Sequence, residues 1–127
     1  MADCCASEKR AVLHVALRSD AEAFPAKANV MPEVREARAQ MQRFVDTIRG
    51  GRLLGGTGKP ITDVVNLGIG GSDLGPRMAT EALGQLSASL TRPPVRVHFV
   101  SNVDPWSLAT TLAPLQAART LFIVQSK

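Results

Sequence analysis

Apolar positions along the chain change their spacing near residue 61. Upstream, Val34, Ala37, Met41, Val45 and Ile48 recur at three- and four-residue steps, the spacing of one helical stripe. Pro32 suits a first helical turn, and Glu33 and Glu36 suit its positive end. Arg35, Arg38, Gln42 and Arg49 fall off the stripe, and Gly50-Gly51 stops it. This predicts a helix over 33–49. The shorter run Arg10–Arg18 is rich in Ala and Leu and reads as a helix. Residues 19–31 read as loop, and the glycine-rich residues 50–60 as a flexible connection.

Downstream the apolar residues come in short continuous runs. Asp63–Leu67, Val95–Val100 and Thr120–Val124 are strand candidates rich in valine. A helix is expected between the first two, from about Gly75 to Leu86. A second, opened by Pro105, should run to about Leu112. Strand, helix, strand, helix, strand is the order of a parallel sheet with right-handed crossovers. The expected fold class is therefore α/β, a doubly wound parallel sheet preceded by helices. Residues 1–60 form the lead-in and 61–127 the α/β part. The apolar run 120–124 suits a strand covered on both faces. The chain stops three residues beyond it, at Lys127. A doubly wound sheet should continue with a loop and helix. The sequence thus reads as an amino-terminal piece cut after its third strand, with one sheet edge and part of a face bare. By itself it should be loosely folded or poorly soluble.

Composition adds bounds. The chain has 127 residues, 45% hydrophobic and 20% charged, with a formal net charge of +4. Its arginines are scattered and it has no tyrosine, which argues against a nucleic-acid partner. Cys4 and Cys5 are adjacent and have no other cysteine to pair with, so a reducing compartment is expected. No secretory signal and no apolar run of membrane length appear. A cytoplasmic protein without a membrane partner is the expectation.

The most informative stretch is Gly68-Ile-Gly-Gly-Ser-Asp-Leu-Gly-Pro76, between the first strand and its helix. Ligands of open α/β sheets bind at such strand ends. Glycines admit close backbone approach, and a helix start welcomes anions. Ser72 can donate and accept hydrogen bonds. Asp73 could cap the helix near Gly75. The dinucleotide pattern fails because Asp73 stands where it needs a third glycine. The other phosphate loop fails around Gly58-Lys59, with Leu53 and Pro60 at positions needing glycine and a hydroxyl. A tight turn with purely structural glycines is the bland alternative. Asp63, Asp73 and Asp104 read as cap or turn residues before acid–base groups. His14 and His98 read as structural or surface residues, and Trp106 as a packing residue.

Thr62–Pro76, Phe99–Asp104 and Leu121–Lys127, in this order, resemble the glucose-6-phosphate isomerase family. Arg10–Arg18 is similar to a helical stretch upstream of these. The resemblance implies interconversion of glucose 6-phosphate and fructose 6-phosphate in glycolysis and gluconeogenesis. Ring opening and proton transfer through an enediolate would proceed with no metal or organic cofactor. It implies a cytoplasmic homodimer for the full-length enzyme, with sites built from both subunits. Gly71 and Ser72 match positions that contact the sugar phosphate, and Ser126 and Lys127 match the start of the phosphate-gripping loop. The family's catalytic glutamate, histidine, lysine and arginine come from later segments. No catalytic residue is therefore assigned in this chain, which by itself should be inactive. Gln125 stands where smaller residues are commoner in the family. A non-catalytic sugar-phosphate-binding module is the alternative reading. A basic nucleic-acid-binding protein is a third, disfavoured by the scattered charge.

Overall fold

The structure, a computed structural model, describes residues 4–5, 10–11, 13–22, 29–87 and 95–126. The chain divides into two compact units, Met1–Asp46 and Thr47–Lys127.

In the first unit, β1 (Cys4–Cys5) pairs antiparallel with β2 (Arg10–Ala11). A single 3₁₀ turn follows at Ala16–Arg18. The helix expected over 10–18 is therefore not formed. A segment this short gains few helical hydrogen bonds against the penalty of nucleation. Its bonds instead close three-residue rings, Ala16 N–H to the Leu13 carbonyl and Ser19 N–H to that of Ala16. α1 (Met31–Arg49) begins where the Asn29 side chain accepts from the Met31 amide. The small core of this unit gathers Ala16, Met31 and Val34, with Leu13 and Val30 against them. Val34 at the start of the apolar stripe is buried and Ile48 at its end is half-buried, while Ala37, Met41 and Val45 between them are exposed. Met41 and Phe44 farther along α1 are 66% and 46% exposed.

The second unit holds β3 (Asp63–Leu67), α2 (Gly71–Ser87), β4 (Arg96–Val100), α3 (Pro105–Leu112) and β5 (Thr120–Val124). The three strands are parallel in the order β4-β3-β5, an open α/β sheet as expected. β3 lies at the centre and is buried along nearly its whole length. Val64, Val65, Ile61 and Val100 make the apolar core there. Each such side chain contributes about 1.5–3 kcal/mol when fully covered. α2 packs on β3 and β4, and α3 on β4. β5 is the exception to expectation. Phe122, Ile123 and Val124 are exposed, Val124 by 69%. It is an edge strand, and among the described residues no helix layer covers it.

α2 starts at Gly71, not near Gly75. Gly70 is the reason. Its φ of 61° turns the chain into the helix, and its carbonyl accepts from the amides of both Asp73 and Leu74. Asp73 is then inside the helix and does not cap residues 75–76. It is buried, and it receives two hydrogen bonds from Arg77 one turn later, at 2.9 and 3.2 Å. The Arg77 guanidinium also lies over the Phe99 ring, 5.1 Å from its centre, which fastens α2 to β4.

Pro76 sits inside α2 and has no amide proton for the carbonyl of Ser72. The side chain of Asn66 supplies the missing donor from β3, at 3.0 Å. A proline in mid-helix is thus offset by a strand asparagine.

Candidate functional site

The chain leaves β3 in the middle of the sheet, passes to β4 on one side, and returns to β5 on the other. A strand order that reverses in this way opens a crevice at the carboxyl ends of β3 and β5. The structure has an open cleft of about 590 Å³ there. Its floor and walls are apolar, with Leu67, Ile69, Val100, Val103, Leu108 and Val124. Its polar groups are Ser72, Asn102, Asp104, Gln125 and Ser126.

Two segments far apart in sequence form its two lips. One is the turn Gly68–Ser72. Gly68 donates its amide to the Val100 carbonyl, and a Cβ there would stand 2.7 Å from the Ser72 Cβ. Only glycine lets the strand end run this close to the first turn of α2. The other lip is the end of β5, where the Gln125 amide donates to the Leu67 carbonyl at 2.9 Å. Asn66 lies between them, 3% exposed. Its Nδ2 donates to the Ser72 carbonyl, and its Oδ1 accepts from Gln125 Nε2 at 2.9 Å.

Of the residues singled out from sequence, Ser72 and Ser126 line this same cleft. Gly71 opens α2 beside it and is exposed, but does not line it. Lys127 lies outside the described residues. Asp104 faces the cleft, yet its carboxylate is committed as the cap of α3. It accepts from the Trp106 and Ser107 amides at 3.2 and 3.1 Å. The cap reading holds for Asp104. Trp106, expected to pack, is 75% exposed. No histidine, lysine or glutamate is among the cleft-lining described residues.

A second constellation sits at the opposite end of the sheet, centred on Asp63, which is a buried strand residue and not the cap or turn residue expected. The Asp63 carboxylate is buried and collects four donors. Arg96 Nη2 and Nε lie 2.9 Å from Oδ2 and Oδ1, His98 Nε2 2.9 Å from Oδ1, and Thr62 Oγ1 2.8 Å from Oδ2. The parallel register sets Asp63 beside Arg96 and Val65 beside His98, so both partners share a face of β4. Burial works against the Asp63 charge. The hydrogen bonds from Arg96, then His98 and Thr62, outweigh it and hold the pKa at about 2, below the ordinary 3.8. The same pairing raises the pKa of Arg96. A cavity of about 330 Å³ adjoins the cluster, bordered by Arg96, Gln116 and Arg119. The available signal was the Arg-x-His spacing one strand after a strand-opening Asp. Among the described residues, no group of three or more His, Cys, Asp or Glu could hold a metal ion. No helix among them is long and apolar enough to cross a membrane.

An open three-stranded parallel sheet with helices between its strands places the chain in the α/β class. The sequence profile of the phosphoglucose isomerase family matches residues 3–127, and the chain belongs to that family. It is 55% identical over 123 residues to the glucose-6-phosphate isomerase of Ralstonia pickettii, covering 95% of this chain and 22% of that one. Against the Brucella ovis glucose-6-phosphate isomerase the identity is 52% with the same coverage. The crystal structure of a Chlamydia trachomatis glucose-6-phosphate isomerase superimposes with a TM-score of 0.73 at 29% identity. That match covers 94% of this chain and 21% of that one. The chain thus spans about a fifth of the length of the curated relatives it matches.

Proposed function

We propose that this chain contributes the sugar-phosphate-gripping part of a glucose-6-phosphate isomerase. The reaction is the interconversion of glucose 6-phosphate and fructose 6-phosphate, by ring opening and proton transfer through an enediolate. It serves glycolysis and gluconeogenesis in the cytoplasm, and the full-length enzyme acts as a homodimer. The observation that carries the reading is the meeting of the Gly68–Ser72 turn and the end of β5 at one open cleft. Ser72 and Ser126 offer hydroxyl donors to phosphate and sugar oxygens. Gly71, at the first turn of α2, offers an amide at the positive end of a helix dipole. Lys127 adds positive charge next to Ser126. The apolar floor suits the carbon face of a hexose.

Proton transfer needs a base within about 3 Å of the reacting carbon or its proton. Among the described residues the one carboxylate facing the cleft, that of Asp104, already caps α3. The 127-residue chain alone is therefore expected not to turn hexose 6-phosphate over.

Titration of glucose 6-phosphate into isotope-labelled protein tests the reading. Shifts should concentrate at the amides of Gly71, Ser72 and Ser126, while a coupled assay free of host enzyme stays at background. Shifts spread over the Asp63 end of the sheet would overturn the site. Turnover would overturn the division of labour.

A further inference from the structure

We infer that Asn66 is a positioning residue: its side-chain amide ties the two lips of the cleft together, so that they hold a ligand as one unit. The inference rests on the reading of this cleft as the sugar-phosphate site. The Ser72 carbonyl can only accept, so Asn66 must turn its Nδ2 toward it, at 3.0 Å. That choice leaves Oδ1 facing β5, where Gln125 Nε2 donates at 2.9 Å. One buried amide thus has a fixed orientation, and both ends are used on segments that line the cleft.

Pro76 makes the link stronger than an ordinary side-chain contact. It leaves the Ser72 carbonyl without its helical donor, so Asn66 is the replacement and not an addition. The Ser72 peptide carries the hydroxyl of one lip. Gln125 directly precedes Ser126, which carries that of the other. Any shift of β5 relative to α2 must stretch or break the Asn66 bridge. A ligand that touches both lips therefore depends on the Asn66–Gln125 bond in addition to the groups it touches, and it reaches Gln125 but not Asn66. A ligand small enough to sit at one lip does not.

Amide hydrogen exchange and ligand titration on the 127-residue chain decide the matter. Asn66→Ala and Gln125→Ala are each compared with the unaltered protein, and with the double variant. Asn66→Ala should speed exchange at Asp73, Leu74 and the Gln125 backbone amide roughly tenfold, the factor set by losing one buried hydrogen bond. Gln125→Ala should do the same at Asp73 and Leu74, on the far lip. Amides of Val64 and Val65 should keep their protection, showing that the sheet is intact. The double variant should be no worse than Asn66→Ala, because both act through one bridge. Affinity for glucose 6-phosphate should fall by about tenfold in each single variant, matching the same lost bond, while affinity for inorganic phosphate stays within a factor of about two.

Additive effects in the double variant, or a Gln125→Ala effect confined to its own lip, would overturn the coupling. Unprotected lips in the unaltered protein would do so as well, since nothing would then be held. An equal loss for both ligands would leave Asn66 merely structural and refute its positioning role. Absence of glucose 6-phosphate binding in the unaltered protein would remove the functional reading. The exchange data would still decide the coupling.

Discussion

Gly68 and Ser72 approach so closely that a Cβ on the glycine would lie 2.7 Å from the serine Cβ and 2.9 Å from its carbonyl oxygen. The Ser72 atoms belong to the backbone and stem of a helical turn, so they cannot swing aside. Gly68→Ala should therefore displace the first turn of α2 and destabilise the protein by about 1–3 kcal/mol, the range for overpacking a tight site. Glucose 6-phosphate binding should be lost with it. Gly70→Ala is the informative contrast. Nothing lies within 4 Å of the added methyl, but φ is +61°. It should cost about 1–2 kcal/mol of backbone strain. Thermal melts and titrations of the two variants separate close approach from conformation.

Asp63 gives the protein an acid limit. Its pKa is held at about 2, below the ordinary 3.8. A carboxylate depressed in the folded state adds stability that is complete above its unfolded pKa and lost as pH falls through the folded one. The loss should fall between about pH 4 and pH 2 and amount to roughly 2 kcal/mol. Asp63→Asn removes the charge while Arg96 stays in place. It should lower the melting temperature at pH 7 and flatten the dependence below pH 4, read by melts across the acid range.

Asp104 caps α3 with both carboxylate oxygens. Asp104→Ala should cost about 1 kcal/mol, the typical value of an N-cap, and Asp104→Asn should recover most of it. Denaturant unfolding of the three proteins measures the difference.

The strands of the second unit were legible because short valine-rich runs stand out from the glycine-, proline- and asparagine-containing stretches between them. The Gly68–Ser72 turn was legible for the same reason, and so was the Asp104-Pro105 helix start. What sequence spacing missed depends on contacts between segments. Where α2 begins is decided by the φ of Gly70, which no periodicity reports. The role of Asn66 follows from the absent amide of Pro76 and the nearness of Gln125, 59 residues away. The Asp63 cluster follows from strand register, which pairs Asp63 with Arg96. Apolar patterning was read as burial in α1 and β5. A stripe records what a segment can cover, whereas exposure records what lies against it.

β5 should show the consequence of that difference in solution. Phe122, Ile123 and Val124 present an apolar edge strand to water. Such surfaces associate. Sedimentation should show concentration-dependent oligomers of the chain, and Val124→Lys should reduce them at equal concentration. A monomer at every concentration would contradict this.

β3 meets its two neighbours over unequal spans. Asp63 bonds Arg96 across 33 residues, while Asn66 bonds Gln125 across 59. Closing the longer loop costs about 0.5 kcal/mol more in chain entropy, and β5 gains less burial in return. Folding should thus proceed from β3 and β4 outward, with β5 arriving late. A half-assembled molecule would own a hydrophobic centre yet lack one wall of its cleft, so the cleft is the last feature the chain completes.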